Sequence, residues 1–177
     1  MQHALELYES QAFLKAEKAF IDLKNSHPTE SAKYLYLISK RLGKRDLTAR
    51  YNNYIKELSN AKNFAEICAF HKAQAGQLSL ENSLVVLEAY WALGDLVSFE
   101  KETSLTWAMI IEKKYYNYSD ELFNLVFKHD PYLLSNYFGQ LTALTETSRH
   151  EEAADLSNEV LSLVESKWSK LKTLKKN

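Results

Sequence analysis

With 177 residues, 46% hydrophobic and 25% charged, the chain has ordinary globular composition and enough length to bury a core unaided, which excludes a disordered or disulfide-framework protein. Four glycines and two prolines are too few for the many turns of an all-β fold. A net charge of −1 supplies no field to draw the chain onto nucleic acid or an anionic membrane, and the single cysteine, Cys68, permits neither an intrachain disulfide nor a multi-cysteine metal cage.

The N-terminal stretch MQHALELYES lacks a basic region followed by an apolar core, so it is not a secretory signal. No uncharged apolar run approaches the roughly 20 residues of a membrane span. The chain reads as soluble and leaves its compartment open, with the cytoplasm as default.

In chain order, Phe13, Ala16, Phe20 and Leu23 share a helix face that ends before Pro28. An amphipathic stretch follows near residues 31–42, and then Leu47, Tyr51, Tyr54 and Leu58 repeat the helical spacing. A further stretch near 62–75 precedes Leu80, Leu84, Leu87 and Trp91. Another near 96–112 precedes Leu122, Phe123, Val126 and Phe127. The last stretch, near 132–146, leads to Ala153, Leu156, Val160, Leu161 and Val164. This predicts about ten helices, broken at Leu42-Gly43-Lys44, Ala75-Gly76, Leu93-Gly94-Asp95 and Asp130-Pro131.

Short connections turn neighbouring helices into antiparallel hairpins. A fixed period then argues for a stack of hairpins over a bundle. Phe13, Ala16, Phe20, Leu23 and Pro28 recur as Tyr116, Ser119, Phe123, Val126 and Pro131, about three periods of 34 residues further on. One such period moves the first set onto Leu47, Arg50, Tyr54, Glu57 and Lys62, and the second onto His150, Ala153, Ser157, Val160 and Glu165. The middle of the chain fits less well, with Glu81 and Glu88 where apolar residues are expected.

The segments Phe13 to Phe20 with His27-Pro28, and Glu151 to Ala154 with Val160-Leu161, resemble the second helix of tetratricopeptide repeats. Ala-Leu-Gly-Asp at 92–95 is similar to a helix-turn-helix phrase of that family. The resemblance covers nearly the whole chain. It implies an all-α superhelix, or solenoid, of about five antiparallel helical hairpins. The units would be about 1–28, 29–62, 63–95, 96–131 and 132–165, in a single domain spanning 1–177. Residues 166–177 would close the stack as a capping helix or basic tail, with Trp168, Leu171 and Leu174 among Lys167, Lys170, Lys172, Lys175 and Lys176. The close-packing position of the first helices falls on Ala4, Ile38, Lys72, Trp107 and Leu141, none of them glycine. In this frame the first helix of the first unit would begin before residue 1, so the chain is expected to start mid-repeat or with a shortened helix.

Candidate chemistry is sparse. Cys68 and His71 share a helix face and could offer two metal ligands, but a structural zinc needs four, and a buried thiol is the simpler reading. Asp120-Glu121 and Glu151-Glu152 sit at expected helix starts, where carboxylates complement the macrodipole. Glycine-rich phosphate loops and nucleophile elbows are missing from the sequence. The expectation is a non-enzymatic protein with no cofactor and no metal.

Two surfaces remain. Lys40, Arg41, Lys44, Arg45 and Arg50, flanked by Tyr34, Tyr36, Tyr51 and Tyr54, could grip a phosphate backbone or an acidic protein segment, although a solvated helix-helix turn is the plainer reading. The tyrosine run Tyr115-Tyr116-Asn117-Tyr118 suits either an interface or a half-buried turn. The tetratricopeptide resemblance places ligands on the concave surface of the first helices. Here that surface presents Leu35, Ser39 and Leu42, then Ala69 and Ala73, then Ser104, Ala108 and Ile111, then Phe138, Thr142 and Thr145. The Lys/Asn/Arg set that clamps a C-terminal carboxylate in some members is missing, so a helix or an extended apolar segment suits this groove better. The resulting expectation is a scaffold that binds a partner protein segment. Nucleic-acid binding through residues 40–50 and self-association as a homo-oligomer are the alternatives.

Overall fold

The structure, a computed structural model, describes residues 1–74 and 76–174, with side chains as far as Ser166. Among the described residues there are ten α-helices and no strand: α1 Gln2–Glu9, α2 Phe13–Asp22, α3 Pro28–Arg41, α4 Leu47–Asn60, α5 Phe64–Gln74, α6 Leu80–Ala92, α7 Leu96–Lys113, α8 Ser119–His129, α9 Leu134–Glu146 and α10 His150–Leu174. A 3₁₀ turn at Tyr116–Tyr118 leads into α8. From α2 onward the helices form where the periodicity places them, because each has one face to bury, while α1 lies in a stretch that the periodicity does not single out. In α4 that face is Tyr51, Tyr54, Ile55 and Leu58, the spacing of a helix stripe. Pro28 serves as the first residue of α3, where its missing N–H costs nothing.

One local device ends six of the helices. Gln11, Gly43, Lys62, Gly94, Lys114 and Ser148 all adopt the left-handed conformation, with φ between 54° and 71°. At each, the next residue's N–H reaches back to the helix carbonyl five residues before it: Ala12 to Leu7, Lys44 to Ser39, Asn63 to Leu58, Asp95 to Tyr90, Tyr115 to Ile110 and Arg149 to Leu144, all at 2.9 or 3.0 Å. The left-handed residue itself bonds three back, as Lys62 N–H does to Ser59 O at 2.9 Å. These two bonds define the Schellman cap. It satisfies carbonyls that the helix leaves open and turns the chain back.

The chain divides into two compact units, Met1–Asp95 and Leu96–Asn177. In the first, each helix packs on its successor from α1 to α6, and α4 also packs on α6. Its N-terminal core gathers Ala4, Ala16, Phe20, Leu35 and Ile38, with Tyr8, Phe13 and Tyr34 against them. Its centre is aromatic: Tyr36, Tyr51 and Tyr54 surround Phe70 with ring centroids 4.7 to 5.1 Å away. Tyr54 donates from its hydroxyl to the Glu66 carboxylate, which also takes Lys33 Nζ at 3.1 Å, so α3, α4 and α5 share one polar knot.

In the second unit α7 packs on α8 and α9, α8 on α9, and α9 on α10. Its core includes Phe99, Trp107, Ile110, Leu122, Val126, Tyr137 and Leu144. A close approach occurs at Gly139, where an added Cβ would lie 2.1 Å from Cδ2 of the Trp107 ring. The resemblance assigns close packing to Leu141; the structure gives it to Gly139, two positions earlier, because only a residue without a side chain can sit beneath the indole.

No helix among the described residues is long and apolar enough to cross a membrane. The terminal side chains Lys167 to Leu174, and all of Lys175 and Lys176, fall outside the described positions.

Candidate functional site

The α7–α9 pair carries six of the predicted groove residues, Ser104, Ala108, Ile111, Phe138, Thr142 and Thr145. Trp107 donates from Nε1 to Asn136 Oδ1 at 3.0 Å, and Asn136 donates in turn to the Phe123 carbonyl at 3.1 Å. This fixes the indole over Gly139 and the two helices against each other. Helical geometry, at about 100° per residue, then decides what lies beside the contact. On α7, Thr103, Thr106 and Ile110 turn inward and are buried, so Ser104, Ala108 and Ile111 flank Trp107 on the outer side. On α9, Asn136, Gln140 and Ala143 turn inward, so Phe138 and Thr142 flank Gly139 on the outer side. Ser104, Ala108 and Phe138 are exposed, and Ile111 and Thr142 half-buried. Phe138 is 59% exposed, and Leu134, one turn before it, 39%.

The hydroxyls here are spent. Ser104 Oγ donates to the Glu100 carbonyl at 3.1 Å, Thr142 Oγ1 to Phe138 at 2.9 Å and Thr145 Oγ1 to Leu141 at 2.8 Å. Turning a hydroxyl onto its own helix leaves mainly methyl and methylene groups outward. A face that reads as half polar in sequence is therefore apolar in chemistry.

The other predicted groove residues are not brought together in this way. Leu35 and Ser39 are fully buried, a correction to the concave-surface expectation. The inner face of α3 comprises Ser31, Ala32, Leu35, Tyr36, Ile38 and Ser39, because α3 packs on both α2 and α4 and has apolar neighbours on two sides. Leu42 is 40% exposed at the end of α3, and Ala69 and Ala73 are exposed on α5.

Two of the five residues of the basic cluster, Lys44 and Arg50, are paired with acids. Glu17 on α2 takes Lys44 at 2.6 Å and Arg50 at 3.6 Å, and Asp46 takes Arg50 Nε at 2.9 Å. Ser39 donates to Asp46 Oδ1 at 2.9 Å. Burial pushes the Asp46 carboxyl up, but these hydrogen bonds and the charges of Arg50 and Lys44 outweigh it and hold the group below its usual range. Lys40 donates to Gln74, while Arg41 and Arg45 make no ion pair among the described residues. Tyr51 and Tyr54 are buried and Tyr34 stacks on Phe20, so no aromatic platform accompanies the charges.

Cys68 is buried, and burial pushes its thiol up to about 11, which keeps it protonated at neutral pH and poor as nucleophile or ligand. His71 Nδ1 lies 2.7 Å from the Tyr51 hydroxyl. No cluster of three or more His, Cys, Asp or Glu residues that could hold a metal occurs among the described residues. Asp120 receives Arg149 at 2.9 Å and Gln140 at 2.6 Å, and Glu152 also pairs with Arg149. These first-turn acids therefore tie the start of α10 to that of α8. In the tyrosine run, Tyr115 is 44% exposed and precedes the 3₁₀ turn.

A cleft of about 570 Å³ between α4 and α6, which the sequence did not single out, is lined in part by Asn52, Asn53, Lys56, Asn60, Glu81, Asn82 and Val85. Its signal was present: asparagine is a poor helix former, yet α4 carries three of these four. No protein-family model, curated protein or solved structure matches the chain.

Proposed function

We propose that the chain is a non-catalytic interaction module, a tetratricopeptide-like helical-repeat array whose α7–α9 face holds an apolar stretch of a partner protein. The observation that carries this reading is the outward line of Phe138, Thr142, Ser104 and Ala108 beside a contact locked by Trp107 and Gly139. A rigid frame with an exposed aromatic is how an interface anchors a partner at low entropic cost. The repeat reading draws support from the six identical caps and from the packing of successive helices within each unit. The burial of Tyr51 and Tyr54 and the stacking of Tyr34 on Phe20 leave Lys40, Arg41 and Arg45 without an aromatic platform for bases, which favours a protein partner over nucleic acid.

Site-specific photocrosslinking tests the proposal. A benzophenone side chain at position 138 or 108 is expected to trap the same partner. The same group at Leu14, 69% exposed on α2, is expected to trap none. Equal trapping at all three positions, or none at 138 and 108, would refute the assignment. An adduct only with a second copy of the chain would replace it with self-association.

A further inference from the structure

The last helix is longer than the one that covers it. α10 has 25 residues and α9, on which it packs, has 13, so α10 runs about 18 Å further at 1.5 Å per residue. On α10, Ala153, Leu156 and Ser157 are half-buried and Val160 is buried, at the spacing of one helix face. Past that point the apolar residues lose their cover: Leu161 is 60% exposed and Val164 44%. The helical backbone continues to Leu174, and the sequence places Trp168 and Leu171 next in line. Leu161, Val164, Trp168 and Leu171 are spaced three, four and three residues apart. That is the repeat with which two helices interlock their side chains in a coiled coil.

Charge selects the second helix. Residues 151–166 hold five acids and neither Lys nor Arg, while residues 167–177 hold five Lys and no acid. An anionic membrane would attract the lysines but repel the adjoining acids. A helix of the same sequence laid antiparallel suits both, acid beside base at each end. We propose that this part of α10 pairs with its counterpart in a second copy of the chain, antiparallel about a two-fold axis. Leu161 then lies opposite Leu171 of the other copy, and Val164 opposite Trp168. Glu165 and Lys172 occupy the same flanking position one heptad apart, so each Glu165 faces the Lys172 of the other copy. A parallel pair would set Lys167 against Lys172 instead. The antiparallel contact is self-complementary and closes as a dimer. Four apolar side chains from each copy bury on the order of 1,000 Å² in total, at the low end for a specific interface, so the dimer is a weak one.

Sedimentation equilibrium of the full chain between about 1 and about 300 µM tests the pairing, since a contact of this size dissociates in the micromolar range. A transition from monomer to dimer is expected there. Leu161→Glu and Val164→Glu, both at exposed positions, should leave a monomer with an unchanged melting temperature. Glu165→Lys and Lys172→Glu should each weaken the dimer severalfold, and the two together should restore it. Phe138→Glu should leave dimerisation unchanged. A monomer at every concentration, or a dimer untouched by Val164→Glu, would overturn the proposal. So would a tighter dimer in Lys172→Glu, the mark of parallel pairing, or loss of the dimer in Phe138→Glu alone, the mark of the α7–α9 face. Binding of a monomeric chain to phosphatidylserine vesicles, lost in Val164→Glu, would overturn it in favour of a membrane contact.

Discussion

Gly139 shows how one residue sets a helix spacing. Its missing side chain lets α9 approach until the Trp107 ring covers the backbone, and the Nε1–H bond to Asn136 prevents the ring from yielding. Gly139→Ala is therefore expected to destabilise the protein by about 1–3 kcal/mol, the usual cost of overpacking. Urea denaturation measures it, and an unchanged midpoint would mean the ring can move aside. The Tyr54–Glu66 pair makes a prediction in pH. The Tyr54 hydrogen bond, with help from Lys33, holds the Glu66 carboxyl below its usual range against the opposing effect of burial. Burial, then the Glu66 carboxylate, pushes Tyr54 up. A lowered acid pKa contributes stability that is complete above the unfolded value of about 4.3 and fades as pH falls through the folded one. A raised tyrosine pKa contributes below about 10 and is lost as pH rises further. Glu66→Gln should thus flatten the loss of stability as pH falls below about 4.3, and Tyr54→Phe the loss above about pH 10, both read from melting temperatures. Parallel curves for variant and parent would contradict the pairing. Neither contact was legible in sequence, because both depend on residues brought together only by packing.

Among the elements, the helices were legible because each buries one face and leaves a 3.6-residue period in the chain. Their ends were only half legible. Gly43 and Gly94 announce left-handed caps, whereas Gln11, Lys62, Lys114 and Ser148 reach the same conformation with ordinary side chains, each bearing a steric cost of about 1 kcal/mol that the two cap bonds offset. Replacing Lys62 or Ser148 by Gly relieves that cost at exposed positions and is expected to stabilise by about 0.5–1 kcal/mol. Gly94→Val should destabilise by a similar or larger amount. Chemical denaturation of the three variants tests the caps, and a loss of stability in Lys62→Gly would count against them. The groove was legible in part for a related reason. On α7 and α9 the projected residues face outward. On α3 the inner face is wide enough to absorb Leu35 and Ser39, a width no periodicity count reveals when serines are part of it.

For the whole molecule, the second compact unit offers an apolar line on α7 and α9, and the first a cleft between α4 and α6. The line follows from hydroxyls folded back onto their own helices, the cleft from asparagines that hydrogen-bond each other. The apolar line on α7 and α9 requires no charge steering, in keeping with a net charge of −1. Association with a partner should accordingly depend weakly on salt. Measured between 50 and 300 mM salt, the affinity at the α7–α9 face is expected to change less than threefold, and a steep decline would redirect attention to Lys40, Arg41 and Arg45. The most direct measurement is the affinity of the partner trapped at position 138 for Phe138→Ala, set beside Leu14→Ala. Burying an exposed aromatic contributes about 1.5–3 kcal/mol. Phe138→Ala is therefore expected to bind at least tenfold more weakly, with an unchanged melting temperature and no effect of Leu14→Ala. Equal affinity for parent and Phe138→Ala would contradict it.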